Sequence, residues 1–430
     1  MRNRKVLRAA VAAWATMACA HTASASDAHV QPGSAPVLQP IAGDELTLAP
    51  SVVPARSRVI YAAEEATRAP AMAALERAGV ADTLDEYGLN IGGHIEAGWS
   101  YNFDKPSTHL NAGRVFDLEE QDPTLHQIDV FVERNIAANG EKFDVGGKME
   151  WLWGGDARLI HANGLFDHYG FTDGPEEQFD LVQLYGTFNV PVGNGLLLTA
   201  GKFVTLLGYE TINPTTNPLY SHTYLFGFGI PFTHTGVLAR YQFSEYCWGT
   251  AGIVRGWDQA LEDANDAVSF IGQAGYSKDN IDFYLNVITG PEQPDNESNY
   301  RTVFNPILVY RDSEQLTFAI DGIYGWEPEA AADGGDGQWW GAAGYVSYKI
   351  NPMFTAQGRA EYFSDQDGAR GLGTQLTEVT VGLNIRPLPD DQWGRGLVIR
   401  PEIRFDYAED PGFDGEDTQW TFGIDAIYAF

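Results

Sequence analysis

Charged side chains of opposite sign alternate at a spacing of two residues in several segments of the sequence. The residues concerned are Lys148, Glu150, Arg359, Glu361, Arg400, Glu402, Arg404 and Asp425. A spacing of two places side chains on one face of a β-strand, and charged side chains that line a pore set its preference for ions. We therefore predict that these residues line a pore. The alternative is that they pair across neighbouring strands and only solvate the wall.

One long segment without strand-like alternation, residues 206–233, is rich in aromatic residues. They are Tyr209, Tyr220, Tyr224, Phe226, Phe228 and Phe232. A surface loop with so many rings would expose a large apolar patch, so we expect it to pack against another part of the molecule. Our hypothesis is that it folds inward and narrows the pore, with Glu210, Tyr220, His222 and His234 near the constriction. The alternative is an external lid that lies over neighbouring loops.

Motifs of known catalytic or metal-binding sites are missing from the sequence. It contains no G-x-S-x-G, H-E-x-x-H, Walker loop or paired-cysteine pattern. Ser221 and His222 are adjacent, so an extended backbone would point them to opposite sides. His161 and His168 also lack the spacing of metal ligands. We expect no enzymatic activity, and no catalytic residue, metal site or cofactor.

The elements that would position the charged residues are β-strands. In LNIGGHIEAGWSYNF, residues 89–103, apolar residues occupy most odd positions and polar residues most even positions. This period of two predicts a strand with one apolar and one polar face. Similar segments follow at 125–136, 143–154, 179–190, 196–205, 234–243, 247–256, 268–277, 281–289, 300–310, 315–326, 338–350, 354–363, 375–386, 397–407 and 419–430.

The connections between these segments alternate between short and long. Short links lie at 137–142, 191–195, 244–246, 277–280, 311–315 and 351–353. Long links lie at 104–123, 155–178, 206–233, 257–267, 290–299, 327–337, 364–374 and 408–418. This alternation is typical of an up-and-down barrel of the outer membrane, with turns in the periplasm and loops outside.

The predicted fold is all-β: a transmembrane, up-and-down antiparallel β-barrel of about 16 strands, within a range of roughly 14–18. In hydrocarbon every backbone N–H and C=O must be paired, so the sheet has to close on itself. We expect the last strand, which ends the chain on Phe430, to pair with the first. A barrel of about sixteen strands is too wide for side chains alone to fill, so we expect a water-filled pore.

The N-terminal part of the chain differs from the rest. Residues 1–25 have the features of a secretory signal peptide, because basic residues precede the apolar run AAVAAWATMACA and Ala23–Ala25 offers a cleavage site. Lipidation of Cys19 is an alternative. Residues 26–88 are expected to form a flexible, part-helical periplasmic extension, with a short Ala-rich helix broken near Pro70. The alternative is that this extension forms a plug within the barrel. Residues 89–430 form the predicted barrel.

Composition limits the partners of the mature chain. Removing the signal peptide leaves 23 basic and 58 acidic residues, a net charge of −35, which excludes a nucleic-acid footprint. Cys247 is then the only cysteine, so no intrachain disulfide is expected. Acidic runs at 119–122, 173–178 and 408–417 lie in long links and would attract cations to the mouth of a pore. Alternatively, they bind divalent ions shared with lipopolysaccharide.

Residues 201–241 contain the most distinctive motifs. Asn217 to Phe226 read N-P-L-Y-S-H-T-Y-L-F, and Pro231 to Gly236 read P-F-T-H-T-G. These motifs, together with the openings at 91–106 and 116–134, resemble the OmpL-like β-barrel porin family of Gram-negative outer membranes. The resemblance covers essentially residues 85–430. It implies a porin-like barrel but assigns no substrate and no ligand-binding residue.

The function that we expect is a passive outer-membrane porin for small hydrophilic solutes, either cationic or neutral. The alternative is a structural or adhesion barrel with acidic surface loops and a closed lumen. Expected partners are outer-membrane lipid and lipopolysaccharide, the barrel-assembly machinery through Phe430, and small solutes or cations. Porins of this size often trimerise, so a homotrimer is also considered. Both chain termini are expected in the periplasm.

Overall fold

The computed structural model describes residues 68–169 and 174–430. The signal peptide expected at 1–25 and the segment 26–67 lie outside the described residues. Sixteen antiparallel strands form a closed barrel in which each strand pairs with its sequence neighbour and the last pairs with the first. The strands are β1 (Asn90–Asn102), β2 (Thr124–Arg134), β3 (Asp144–Gly154), β4 (Gln178–Val190), β5 (Leu196–Val204), β6 (Thr233–Gln242), β7 (Cys247–Val254), β8 (Ser269–Lys278), β9 (Ile281–Gln293), β10 (Asn296–Arg311), β11 (Leu316–Glu327), β12 (Gly337–Lys349), β13 (Phe354–Ser364), β14 (Gln375–Ile385), β15 (Leu397–Ala408) and β16 (Thr418–Ala429). The predicted fold class is confirmed.

The two faces of each strand differ as the alternating sequence predicts. On β14, Val379 and Val381 are 47% and 58% exposed, whereas Glu378 and Thr380 are fully buried. Because successive side chains point to opposite sides of the sheet, the apolar residues face outward and the polar residues face the interior. The outer surface is therefore suited to lipid, which solvates apolar side chains and cannot solvate charges.

The seam between the first and last strands closes the barrel. Gly93 and Phe430 exchange two backbone hydrogen bonds, with N···O distances of 3.1 and 2.9 Å. The pairing continues in register to Asn102 opposite Thr421. Closure leaves no strand edge, so the spanning backbone groups are paired within the sheet as a membrane requires.

The connections give the barrel a short-turn end and a long-loop end, with two departures from the sequence-based expectation. The expected long link at 290–299 is wrong, because β9 and β10 continue around a turn at residues 294–295. Asp295 takes a left-handed conformation with φ 56°, and the Asn296 and Asn299 amides both donate to the Gln293 side chain. At the short-turn end, the link 386–396 is longer than its counterparts.

Two helices, α1 (Pro70–Arg77) and α2 (Ala81–Tyr87), precede the barrel. Pro70 is the first residue of α1, where a proline removes no hydrogen bond. The Arg77 guanidinium stacks 4.4 Å from the ring centre of Trp393, so the helices lie against the 386–396 link. A third, one-turn helix, α3 (Ala157–Ile160), follows β3. Among the described residues, no helix is long and apolar enough to cross a membrane.

Candidate pore constriction

The segment between β5 and β6, residues 205–232, lies inside the barrel; we call it the inner loop. Its Tyr220 hydroxyl is 2.7 Å from Nε2 of His126 on β2, and its Tyr209 N–H donates over 2.7 Å to Asp321 on β11. Strands β2 and β11 are far apart around the sheet. Only a segment within the barrel can contact the inward faces of both. Of the two arrangements left open by the sequence, the structure has the inward one.

Two wall carboxylates hold the backbone of the inner loop. Glu402 on β15 accepts hydrogen bonds from the N–H groups of Tyr220 and Ser221, at 2.8 and 3.1 Å. Glu361 on β13 accepts from Tyr224 and Leu225, at 2.8 and 2.7 Å. Each carboxylate thus takes two consecutive N–H groups in charge-assisted hydrogen bonds. These bonds replace the strand or helix partners that this irregular segment lacks.

Three wall arginines bind the carbonyl groups of the same loop. Arg400 donates to the carbonyls of Pro214 and Asn217 at 3.0 and 2.9 Å. Arg404 donates to His222 O, and Arg359 donates to Ser221 O, each at 2.5 Å. The alternation of acids and arginines along the wall therefore matches the alternation of N–H and C=O groups along the loop.

The wall charges that contact the loop are also paired with each other. Arg400 lies 3.0 Å from an Asp425 oxygen and 3.2 Å from Glu96. Arg359 lies 2.6 Å from Glu378 on β14, and Arg404 lies 2.8 Å from Asp406. All of these residues are at most 4% exposed. At this level of the barrel the charges are locally compensated and covered by the loop.

The four constriction candidates take different positions. Glu210 accepts from the Thr223 N–H and pairs with Arg359, at 2.8 and 2.9 Å, so it joins the loop to the wall. His222 lies within the loop, where its Nε2 is 2.9 Å from the Asn217 amide nitrogen. Burial, together with the nearby guanidinium groups, lowers the pKa of His222 to about 3.

His234 lies at the base of the inner loop, where it is the second residue of β6. Its Nδ1 is 2.8 Å from Gly256 O and its Nε2 is 3.0 Å from the Thr205 hydroxyl. Tyr220, the remaining candidate, is near the centre of the loop and is 4% exposed. The structure therefore places Glu210, Tyr220 and His222 within the inner loop and His234 at its base.

Lys148 and Glu150 lie on β3 and form their own pair, with 3.1 Å between Nζ and Oε1. The Lys148 ammonium also stacks 4.8 Å from the ring centre of Phe131. By contrast, the candidates on β13 and β15 touch the inner loop directly, and Asp425 contacts it through Arg400. The eight wall residues thus divide into one group around the loop and one separate pair.

The sequence of the barrel matches a known protein family. Residues 88–430 match the family described as "Putative beta-barrel porin-2, OmpL-like". The chain belongs to this family of OmpL-like porins. The resemblance inferred from the motifs in residues 201–241 is confirmed, and no curated protein sequence matches the chain.

Solved porin structures share the fold of this OmpL-like porin at low sequence identity. The outer membrane channel DcaP of Acinetobacter baumannii is 14% identical with a TM-score of 0.52, over 80% of this chain and 97% of that chain. The anion-selective porin from Comamonas acidovorans gives 10% and 0.54, over 80% and 99%. OprB of Pseudomonas putida gives 10% and 0.53, over 83% and 97%. At such identities the likeness shows the fold alone.

Family and fold imply the Gram-negative outer membrane, and they indicate a channel rather than an enzyme. Tyr220, His126 and Asp156 form a chain of hydrogen bonds at 2.7 and 2.8 Å that has the order of a catalytic triad. All three side chains are at most 4% exposed, so no substrate can reach them and the chain of bonds fixes the loop instead. Within residues 68–169 and 174–430, no group of three His, Cys, Asp or Glu side chains is arranged to hold a metal ion.

Sequence reasoning missed the polar residues that hold the two ends of the inner loop. Asn305 on β10 accepts from the Gly208 N–H at 2.8 Å, next to the bond from Tyr209 to Asp321. At the other end, Asp258 accepts from both Phe232 N and Thr233 N at 2.8 Å. The available signal was that Asn305 lies between the inward-facing Val303 and Ile307, and Asp321 between Ala319 and Ile323.

A hydrophobic core inside this OmpL-like porin was also missed. Phe226 and Ile230 of the inner loop belong to a buried cluster with inward-facing residues of many strands. The wall members include Phe203, Leu238, Val254, Ile271, Ile288, Val303, Ile323, Trp339 and Phe363. The loop is therefore held by apolar packing as well as by hydrogen bonds. The signal was that these strands carry apolar residues on both faces near their long-loop ends.

Proposed function

We propose that this chain is a passive channel of the outer membrane for small hydrophilic solutes, and that the inner loop sets its aperture. The observation that carries the proposal is the fixed position of residues 205–232 within a sixteen-stranded barrel, with Glu361 and Glu402 holding the loop backbone. A loop held inside the barrel by buried charges reduces its cross-section, and a barrel of this width is proposed to keep a passage beside the loop. Solutes would pass through the cross-section that the loop leaves open.

The proposed orientation has the long loops outside and both chain termini in the periplasm. Acidic runs at 119–122 and 408–417 lie at the long-loop end. Clustered negative charge raises the local concentration of cations, so the channel is proposed to favour cationic or neutral solutes. The pore-lining candidates enter this proposal as wall charges that hold the loop, with Lys148 and Glu150 on β3 as a separate pair.

Reversal potential across a planar bilayer tests this function. In a tenfold KCl gradient the purified protein is expected to conduct and to give a reversal potential of cation-selective sign. A matched variant that neutralises the acids at 119, 120 and 122 should move the potential toward zero. Clear anion selectivity of the wild type would contradict the proposed charge preference. Absence of any conductance would rule out the proposed channel function.

The second candidate is a structural or adhesion barrel with a closed lumen. Arg404, Glu378 and Thr380 on the inner wall are fully buried beneath the inner loop, which favours a barrel sealed at that level. This alternative requires no conductance at any salt concentration, so the same bilayer measurement separates it from the channel.

Each exposed surface of the barrel has a proposed partner. The outward apolar face is proposed to contact membrane lipid, and the acidic loops to contact lipopolysaccharide through divalent ions. Phe430, at the seam with β1, is proposed as the residue that the assembly machinery recognises. A homotrimer through part of the apolar face is also proposed.

A further inference from the structure

Arg240 on β6 differs from the other inward-facing basic side chains of the barrel wall. Six of these side chains each form an ion pair with a wall carboxylate: Lys148, Arg301, Arg311, Arg359, Arg400 and Arg404. Among the described residues, the Arg240 guanidinium has no ion pair and no hydrogen bond. The Arg240 guanidinium is therefore available to bind an anionic group that the chain itself does not supply.

The register places this guanidinium in the interior of the barrel. Arg240 pairs with Leu197 on β5 and with Thr250 on β7. Leu197 is 2% exposed, whereas Val237, an odd number of residues from Arg240, is 52% exposed on the outer face. Arg240 lies two residues from the short-turn end of β6 and is partly exposed, so solvent reaches it from the lumen.

An aromatic platform fixes the orientation of the guanidinium. Its Cζ lies 4.7 Å from the ring centre of Trp248 on β7. The indole is fixed in turn by a 3.1 Å hydrogen bond to Gln273 and by an edge contact with Tyr284 at 5.8 Å. Stacking on a ring uses the face of a guanidinium and leaves the N–H groups at its edge free to donate.

We propose that Arg240 and Trp248 form a binding site for the carboxylate group of a small solute on the inner wall. A planar, oriented fork of N–H donors matches the two oxygens of a carboxylate. Leu197, opposite Arg240 in register, and Leu238, two residues before it on the same face, are each 2% exposed, so the wall next to the guanidinium is apolar. The proposed solute is a zwitterion that carries a carboxylate, because its net charge of zero agrees with the proposed preference for neutral solutes; a simple carboxylate anion shares the recognised group and serves as a probe.

This inference rests on the proposed channel, since the site faces its lumen. Block of the KCl current by acetate and by glycine, added from either side of a planar bilayer, tests it in the full-length mature protein. We expect at least one of the two to block the wild type, and Arg240→Gln to raise the half-blocking concentration about tenfold. Arg240→Lys keeps the charge but loses the fork, and should also raise it.

Arg311→Gln is the matched control, because it removes one positive charge from the inner wall at a guanidinium that is already paired with Asp282. It should leave the block unchanged. Equal block in the wild type and Arg240→Gln, or an equal loss in Arg311→Gln, would overturn the site.

A second measurement separates failure of the site from failure of the channel. Line broadening of carbon-13-labelled acetate and glycine by detergent-solubilised protein does not depend on conduction. Broadening by the wild type that is lost in Arg240→Gln supports the site even if no current is found. Absence of broadening in the wild type overturns the site even if the channel conducts. Heat-modifiable migration of each variant shows that the barrel has folded.

Discussion

The ring of Tyr220 occupies the space directly over Gly98 on β1. A Cβ atom at position 98 would lie 2.5 Å from the Tyr220 hydroxyl oxygen, far inside van der Waals contact. Gly423 on the neighbouring strand β16 borders the same ring, and a Cβ there would lie 2.9 Å from it. The two glycines lie on adjacent strands, two positions apart in register, and make a recess into which the centre of the inner loop fits.

Gly98→Ala should displace the inner loop, because neither the strand backbone nor the Tyr220 ring held by His126 has room to move. Overpacking of this kind typically costs about 1–3 kcal/mol. The measurement is the rate of chymotrypsin cleavage within residues 205–232, which should increase. Tyr220→Ala in the Gly98→Ala background should return cleavage to the level of Tyr220→Ala alone. Gly344→Ala is the control, since nothing lies within 4 Å of its added Cβ; equal effects of both glycine variants would refute the recess.

The barrel itself could be predicted from the sequence because the alternation of apolar and polar residues that produces it lies within each strand. Alternation in residues 89–103, for example, depends only on which side chains can face lipid and which can face the interior. The expected strands match the observed strands within a few residues except at the β9–β10 hairpin. There the expected link at 290–299 is too long, because only 294–295 form the turn and Pro291 is accommodated within β9.

The constriction could be predicted only in part. The aromatic content of residues 206–233 showed that the segment must pack against something, but it did not show on which side of the barrel rim. The partners that decide this are backbone groups, such as the Tyr220 and Ser221 N–H groups that bind Glu402. Backbone groups carry no sequence signal, so Glu402 and Arg400 could be placed on the wall while their partners could not.

Glu402→Ala should loosen the centre of the inner loop. It leaves two buried N–H groups without acceptors, at a cost of about 1–3 kcal/mol each. Faster chymotrypsin cleavage of the loop and a noisier open-channel current are the expected results. Glu327→Ala is a matched control, because Glu327 is a buried wall acid that pairs with Arg301 instead of the loop. If Glu327→Ala accelerates chymotrypsin cleavage of the loop to the same extent, the effect is a general one of removing charge from the wall.

Arg359 joins the wall to the loop through Glu210 and Ser221, and a double-mutant cycle should reveal the coupling. Arg359→Met leaves Glu210 buried without its cation and leaves Glu378 with Arg404 alone, at 3.7 Å. Breaking a buried pair costs roughly 3–5 kcal/mol. Adding Glu210→Gln should recover part of that loss, since the unpaired charge is then removed. The temperature of heat-modifiable migration measures both steps. Strict additivity of the two changes would mean that the contact contributes nothing to the position of the loop.

Acid should destabilise the inner loop through His222. Burial near Arg359 and Arg400 lowers the pKa of this imidazole from 6.5 to about 3. The unfolded chain therefore binds a proton that the folded chain does not, and the free energy of unfolding falls as pH drops below about 6.5 toward 3. Above pH 6.5 the stabilisation is complete.

The pH dependence of the heat-modifiable transition between pH 7 and pH 4 checks this assignment. His222→Gln carries no titrating group and should show a smaller fall in transition temperature than the wild type. His109→Gln should behave like the wild type, because the His109 side chain is 80% exposed. Identical pH profiles for His222→Gln and the wild type would exclude His222 as the source.

Single-channel conductance after deletion of residues 212–228 tests most directly whether the inner loop sets the aperture. The deleted segment contains the backbone groups held by Glu361, Glu402 and Arg404, whereas the strands stay intact. Heat-modifiable migration confirms that the deleted protein has folded. We predict a conductance several-fold larger than that of the wild type at the same salt concentration. A folded barrel whose conductance is unchanged would contradict the account.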